Sequence, residues 1–542
     1  MKSVTLEDVE KIINSLSNSS AFGLDNLDTQ IIKLIGSEIL TVITYIVNLS
    51  IKTKKFPHSW KQIKVIPLHK KDDILNPKNY RPVAMVPVLS KVLERVVHNQ
   101  MIEYLESNNL IHPNSHGYRQ HHNTETALIS MYDSWVRALD RGELCGVVCI
   151  DQSAAFDVVS HNLLLEKLKL YGFGNDELDW IKSYLSDRSQ CVCIDGELSD
   201  LLPIHHGVPQ GSILGPLLFT MYTNELPEVG SKEEQTDTQT DQYLQWPPYQ
   251  SGELVNFADD ATFSSTAKNA GELSDILSEK YGYVAEFLTA NQLKINDDKT
   301  HIMIMTSGRP RAIEAANQVV LRTPTSEVKT IRKEKLLGCV IQNNCKWSEH
   351  IRDDKDNNLI TGLNKRVGAL RKISKVASFQ QRKIFGNGIF MSKINYCIAL
   401  WGGCNSELIR SLQVCQNRAA RIITRCDWSV SSSENLRQIG WLNIKQTIFY
   451  FSALLVYKIK NQRSPKCLAD MFDWQYVHQT RAATSGIVKP IGVPRLSLTK
   501  DSFRWRAAAA FNSLPEELRN CVSIQLFKTK LKSWIKENVN QN

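Results

Sequence analysis

The run GVVCID, residues 146–151, constrains the fold more than any other stretch. It is short, apolar and β-branched, so it reads as a buried strand rather than a helix, and it ends in a carboxylate, Asp151. A second carboxylate-bearing stretch follows in ELVNFADDATFSS, where two β-type runs flank Ala258, Asp259 and Asp260. Neighbouring residues in a regular strand point to opposite faces, so Asp259 and Asp260 can serve one site only if a turn lies between the runs. Carboxylates gathered this way repel one another unless a cation holds them. Phosphoryl transfer to a 3′ hydroxyl uses two divalent cations about 3.5–4 Å apart, and hard cations take oxygen ligands from rigid elements. Either motif alone is more often a solvated turn or a helix cap. Their succession along one chain points to chemistry.

The surrounding pattern is mixed α and β. Residues 1–60 carry two helical periodicities, LEDVEKIINSL and IIKLIGSEILTVITYIVNLSI. Short basic strands are expected in KVIPLHKKDD and NPKNYRPVAMVPVLS, then a helix with Leu89, Val92, Leu93, Val96, Met101, Ile102 and Leu105 on one face. Two short helical or loop segments are expected around HGYRQHHNTETAL. After GVVCID, Ser160 can cap SHNLLLEKLKLYG, and Gly172 can supply its left-handed stop. GVPQGSILGPLLFTMYTNEL runs from a glycine-rich loop into an apolar helix, and residues 229–252 read as an inserted polar loop. Helical patterns dominate from about residue 355 onward.

Charge divides along the chain. The whole carries +9 over 542 residues, but residues 361–542 hold 29 Lys and Arg against 9 Asp and Glu, while residues 1–360 sum to −11. That split suggests a polyanion partner at the C-terminal third and a cation site in the body. The 12 cysteines lack CxxC spacing and suggest free thiols in a reducing compartment. The N-terminus has no apolar leader core, and no run reaches the roughly 18 apolar residues of a membrane span, so a soluble, intracellular protein with no membrane partner is expected.

The motifs IDQSAAFDVVSH, GVPQGSILGPLLF, NFADDATF, NQLKINDDKT and KLLGCVI are similar, in order and spacing, to the palm motifs of reverse transcriptases. HKKDDILNPKNYRPVAMVPVLSKVLE and HGYRQHHNTETAL resemble finger motifs of the non-long-terminal-repeat retrotransposon class, near its jockey-like branch. The resemblance covers residues 60–345. It implies an α+β right hand, with a helical N-terminal extension at 1–60, fingers and an antiparallel-sheet palm at 61–345, a helical thumb at 346–430 and a basic helical extension at 431–542. It also implies the polymerase part of such an element without its endonuclease domain.

By the same resemblance, Asp151, Asp259 and Asp260 would bind two Mg²⁺ ions, Mn²⁺ being a possible substitute, with the backbone carbonyl of Gln152 as a further ligand. Phe156 would be a steric gate favouring deoxynucleotides, and Asp157 a cap or turn former. Gly207, Pro209, Gln210 and Gly211 would face the nascent base pair, Arg81 and Lys70 the triphosphate, and Lys299 the departing pyrophosphate. Leu337 and Gly338 resemble the primer-grip turn. His121, His122 and the long 229–252 loop depart from the family pattern. The implied partners are an RNA template, a DNA primer or target DNA, and deoxynucleoside triphosphates, with nuclear action and cytoplasmic ribonucleoprotein assembly. From the residues themselves, Arg418, Arg421 and Arg425 at i, i+3 and i+7 would line one helical face for a phosphate backbone. Trp347, Trp401, Trp428 and Trp441 fit core packing more readily than base stacking. A catalytically silent nucleic-acid-binding remnant is the alternative from another class. An RNA-dependent RNA polymerase is a third reading, disfavoured by Phe156 and by the Ala-Asp-Asp sequence.

Overall fold

Four antiparallel strands build the central sheet, in the order β7 (Val255–Phe257), β8 (Asp260–Ala267), β3 (Leu144–Asp151), β9 (His301–Met305). The computed structural model describes residues 1–18, 22–70, 73–229, 254–296, 299–323, 327–328, 330–353, 358–474 and 487–539. Most of the insertion expected at 229–252 lies outside the described residues.

The central sheet divides two hydrophobic cores. Val148 and Ile150 of β3, with Ile302 and Ile304 of β9, face one core; Cys145 and Val147, with Met303 and Met305, face the other. Strand alternation therefore delivers apolar side chains to both sides. That is why GVVCID reads as a continuous apolar run although the sheet is antiparallel.

The first core collects the N-terminal helices α1 (Leu6–Ser15) and α2 (Thr29–Thr53), the finger helix α3 (Val88–Ser107), α5 (His161–Leu170), α6 (Asn175–Leu185), α7 (Leu214–Tyr222) and α8 (Ala270–Ala290). A separate finger sheet has the order β2 (Tyr80–Met85), β1 (Gln62–His69), β4 (Arg188–Ile194), β5 (Glu197–Leu198), with β6 (Leu202–Ile204) also on β4. Its β1–β4 pair is parallel.

The second core packs α4 (Thr124–Arg141) against the helices of residues 359–535, so the segments at 346–430 and 431–539 share one interior. Three acids of α4 reach across to that half. Glu125 accepts the Ala399 N–H at 3.0 Å, Asp133 takes the buried Arg504 guanidinium (Nε to Oδ1, 2.9 Å), and Asp140 accepts from Leu496 N–H at 2.7 Å and the Thr499 hydroxyl at 2.8 Å. All 12 cysteines are free.

Three expectations are corrected. The end of HGYRQHHNTETAL opens one 18-residue helix, Thr124–Arg141, rather than a short segment; a capping box between Asn123 and Thr126 starts it and Gly142, in the left-handed region, ends it. Ser160 precedes α5, but its side chain makes no capping bond; its backbone N–H instead points at the Tyr222 hydroxyl, while Gly172 is left-handed as expected. Helix α2 is long and apolar enough, by length and composition, to cross a membrane. Lys33 and Glu38 interrupt the run in sequence, yet a helix of this length tolerates them. One face of α2, with Ile32, Ile43, Val47 and Ile51, is buried within the first core, and Leu34, Val42 and Tyr45 are exposed.

Candidate active site

Strand register brings the first and last acids together. Asp151 at the end of β3 is the cross-strand partner of Asp260 at the start of β8, and Asp259 lies in the turn between β7 and β8. Ala258 takes a left-handed φ of 59° there, which turns the chain so that Asp259 leaves the strand alternation while Asp260 opens β8. Burial, then the Asp259 and Asp151 charges, push the Asp260 carboxyl up to about 6.

Asp151 has two side-chain partners on its other flank. Its Oδ2 accepts from Asn296 Nδ2 and from Lys299 Nζ, each at 3.1 Å, and its carbonyl accepts the Asn296 N–H at 2.9 Å. Lys299 therefore rests on a proposed metal ligand. Gln152 is buried and bridges to Ile295; both polar atoms of its side chain lack a partner.

Among the described residues, no group of three or more His, Cys, Asp or Glu side chains is close enough together to hold a metal ion as they stand. Asp151 Oδ2 is engaged by Lys299 and Asn296. The donor chemistry nevertheless fits a hard divalent cation: the donors are carboxylate oxygens, and a cation would offset the Asp259 and Asp151 charges that add to burial in raising Asp260.

The floor beside the acids is aromatic. Phe156 is buried, stacks on Phe219 with centroids 4.4 Å apart, and meets Tyr118 edge-on at 6.4 Å. Tyr118 is near Asp259 and Arg81, whose charges act on its hydroxyl in opposite directions while burial raises it most. The Gly207–Gly211 loop closes over this floor. Val208 N–H donates to the Phe156 carbonyl at 2.8 Å, and Gln210 Nε2 donates to Asp157 at 3.2 Å. Burial raises the Asp157 carboxyl, against the pull of Gln210 and Lys70. Gly211 has φ 124°, and a Cβ there would lie 2.5 Å from the Ala84 carbonyl oxygen, so only glycine fits this approach of loop to β2. Arg81 and Lys70 belong to the β1–β2 hairpin region on the finger side. Leu337 and Gly338 form the turn of a hairpin between Lys333–Leu336 and Cys339–Gln342.

The structure thus gathers Asp151, Asp259, Asp260, Lys299, Gln152 and Phe156 around one end of the central sheet, with Gln210, Gly211, Arg81 and Lys70 on the loop and fingers beside it. The expected three-arginine face loses its last member. The Ser406–Thr424 helix ends before Arg425, which takes a left-handed φ of 57° as its C-cap and donates to the Ser374 carbonyl. Arg421 stacks on Trp428 at 4.7 Å and bonds Ser432, while Arg418 stays exposed on the helix. Trp347, Trp401 and Trp441 are core residues, and Trp428 is exposed.

Sequence reasoning missed three residues that shape the site. Asn296 lay inside a quoted motif but was overshadowed by its acidic neighbours. Tyr118 carried no signal beyond its place in HGYR. Glu94 interrupts the apolar face of α3 and is fully buried: it accepts the Ser90 hydroxyl at 2.7 Å and the Ile213 and Leu214 N–H groups at 2.8 and 3.2 Å, at the start of α7. A charged residue at a core position was the available signal.

A sheet with paired carboxylates, fingers on one side and helices on the other define a polymerase fold of the right-hand class. The pattern that defines the reverse transcriptase (RNA-dependent DNA polymerase) family matches residues 68–341, half of the chain, and the chain belongs to that family. It is 25% identical over 452 residues to the probable RNA-directed DNA polymerase from transposon BS of Drosophila melanogaster, covering 83% of this chain and 48% of that one. It is 27% identical over 432 residues to the corresponding protein of the X-element from the same species, covering 79% and 44%. The RNA-directed DNA polymerase from mobile element jockey, also of Drosophila melanogaster, is 32% identical over 228 residues, covering 42% and 25%. The chain spans about half the length, or less, of these curated relatives. A solved telomerase from Candida albicans, in complex with a fragment of telomeric RNA, matches with a TM-score of 0.41 and 13% identity over 76% of this chain and 65% of that chain.

Proposed function

We propose that this chain is an RNA-directed DNA polymerase of a non-long-terminal-repeat retrotransposon, which extends a primer 3′ hydroxyl with deoxynucleotides on an RNA template. The observation that carries the reading is the register of Asp151 against Asp260 with Asp259 in the intervening turn, inside the segment that matches the family. Asp151, Asp259 and Asp260 would hold two divalent cations, magnesium or manganese, with the Gln152 carbonyl assisting; bound there, the cations would activate the hydroxyl and neutralise the leaving pyrophosphate.

The protein's own groups supply the rest. Phe156, fixed by its stack on Phe219, would crowd the ribose 2′ position and admit deoxynucleotides. The Gly207–Gly211 loop would present its backbone to the templating pair, with Gln210 steadied by Asp157. Arg81 and Lys70 would meet the triphosphate from the fingers. Lys299, whose ammonium lies 3.1 Å from Asp151 Oδ2, would donate a proton to the departing pyrophosphate.

The test is primer extension by the purified chain on poly(rA) with oligo(dT) and magnesium, beside an Asp259→Ala/Asp260→Ala double variant. Extension that the variant loses supports the reading. No extension by a folded, RNA-binding wild type would favour a silent nucleic-acid-binding remnant, and preference for ribonucleotides would favour an RNA polymerase.

A further inference from the structure

The C-terminal half holds a groove that the polymerase site does not use. It runs along the Ser406–Thr424 helix, between that helix, the Ser432–Ile439 helix and the first turn of the Ile444–Lys460 helix, with Lys536 of the Ile524–Asn538 helix at its side. Its volume is about 400 Å³, the size of a nucleotide-binding hollow rather than of a crevice between side chains.

The lining has a consistent chemistry. Four of its side chains are cationic, Arg410, Arg437, Lys445 and Lys536, and none is acidic. Glu434, outside the lining, pairs with Arg437 as an exposed i, i+3 bridge, which contributes little and is screened by salt. The remaining polar lining is amide and hydroxyl, and half-buried Ile409, with the edges of the core residues Leu436 and Trp441 behind it, forms a small apolar wall. The N-terminal end of the Ile444–Lys460 helix adds its positive dipole end. Outside the groove wall, Lys532 is crowded: burial, then the charges of Lys536 and Lys383, push its ammonium down. Such a gathering of like charges is relieved by an anion.

The shape favours a strand. The lining residues Ser406, Arg410, Gln413 and Asn417 recur at three- and four-residue spacing, so one helical face borders the groove for roughly 16 Å along the axis. That length matches about five stacked nucleotides at ~3.4 Å each. We propose that this groove is a second nucleic-acid site, separate from the palm, which takes a single strand by its phosphodiester backbone. RNA and single-stranded DNA share that chemistry. The lining hydroxyls of Ser406 and Ser433 can meet the 2′ hydroxyls of RNA, whereas the Gln413, Asn443 and Gln446 amides are bonded within the protein.

The experiment compares the full chain with an Arg410→Ala/Arg437→Ala/Lys536→Ala variant, by fluorescence anisotropy of labelled oligo(U), oligo(dT) and a duplex across a salt series. Each lost single-strand phosphate contact lowers the slope of log affinity against log salt by about 0.7, so the triple variant is expected to lose about 2 from the slope and on the order of tenfold or more in affinity at low salt. Loss with both single strands supports a backbone site; loss with oligo(U) alone supports it and assigns RNA. Unchanged slope and affinity, or a loss confined to the duplex, overturns the proposal. A second readout is independent of the variant's folding: a 4-thiouridine oligonucleotide is expected to crosslink within residues 406–446 of the wild type, and crosslinks confined to residues 60–345 overturn the proposal. Primer extension separates this site from the palm. The triple variant should extend a saturating oligo(dT) on poly(rA) as the wild type does. Groove binding without extension in the wild type defeats only the polymerase reading, and extension with an unaltered binding slope defeats only this one.

Discussion

Glu94 offers a sharp test of how the loop beside the acids is held. Its carboxylate is wholly buried and accepts two backbone N–H groups, Ile213 and Leu214, together with the Ser90 hydroxyl at the other oxygen. A Glu94→Gln change keeps the shape and one acceptor oxygen for the α7 end, but removes the charge. Charge-assisted hydrogen bonds contribute ~1.5–3 kcal/mol against ~0.5–1.5 for neutral ones, so two weakened bonds cost about 2 kcal/mol in local stability. Glu94→Ala leaves both donors unsatisfied in the core, at ~1–3 kcal/mol each, for about 4 kcal/mol. Amide hydrogen exchange over residues 211–222 reads this locally and needs no two-state transition, which a chain with two cores does not guarantee. A loss of about 2 kcal/mol speeds exchange about 30-fold where that opening controls it. Primer extension should fall in step, because α7 begins where the Gly207–Gly211 loop ends. Unchanged protection in Glu94→Gln, or an alanine variant no worse than the glutamine one, would refute the reasoning.

Phe156→Val should raise ribonucleotide incorporation relative to deoxynucleotide on the order of tenfold or more, measured as a ratio of kcat/KM values; an unchanged ratio assigns Phe156 to core packing alone. Gly211→Ala forces a Cβ to 2.5 Å from the Ala84 carbonyl at a φ of 124°, so primer extension should be lost in a protein whose remaining core still melts cooperatively; wild-type activity would mean that the loop relaxes freely. Asp133→Ala strands the buried Arg504 guanidinium and should cost about 3–5 kcal/mol in local stability, read by amide hydrogen exchange over Thr124–Arg141, whereas Asp133→Leu with Arg504→Met should recover most of it. A double variant no better than the single one counts against the ion pair as the cause.

The central acids were legible because the sheet is buried on both faces. Val147 and Val148 of β3 point to opposite cores, so GVVCID had to be continuously apolar and its terminal aspartate stood out. The hairpin at Asp259 was legible from the same contrast. Helix α4 was not, since its buried Ser130, Asp133 and Ser134 break the apolar stripe for bonds that only the fold supplies. Ser160 stood at the right place for a cap, but the start of α5 is held by backbone contact to Tyr222. Arg425 followed helical spacing and fell beyond the helix, because the last turn closes at Arg421. Glu94 and Asn296 depend on partners far along the chain, at Leu214 and Asp151, and spacing carries no record of them.

Helix α4 gives the molecule a different anatomy from the one its motifs suggest. Motif boundaries invite a cut near residue 345, leaving a catalytic body and a detachable tail. Yet Glu125, Asp133 and Asp140 anchor three separate points of the later chain, and Trp135 and Leu139 share their core with it. Minimal versions of this protein are therefore better sought by shortening loops than by amputation. A cut at the boundary would turn one wall of the central sheet into an open hydrophobic surface.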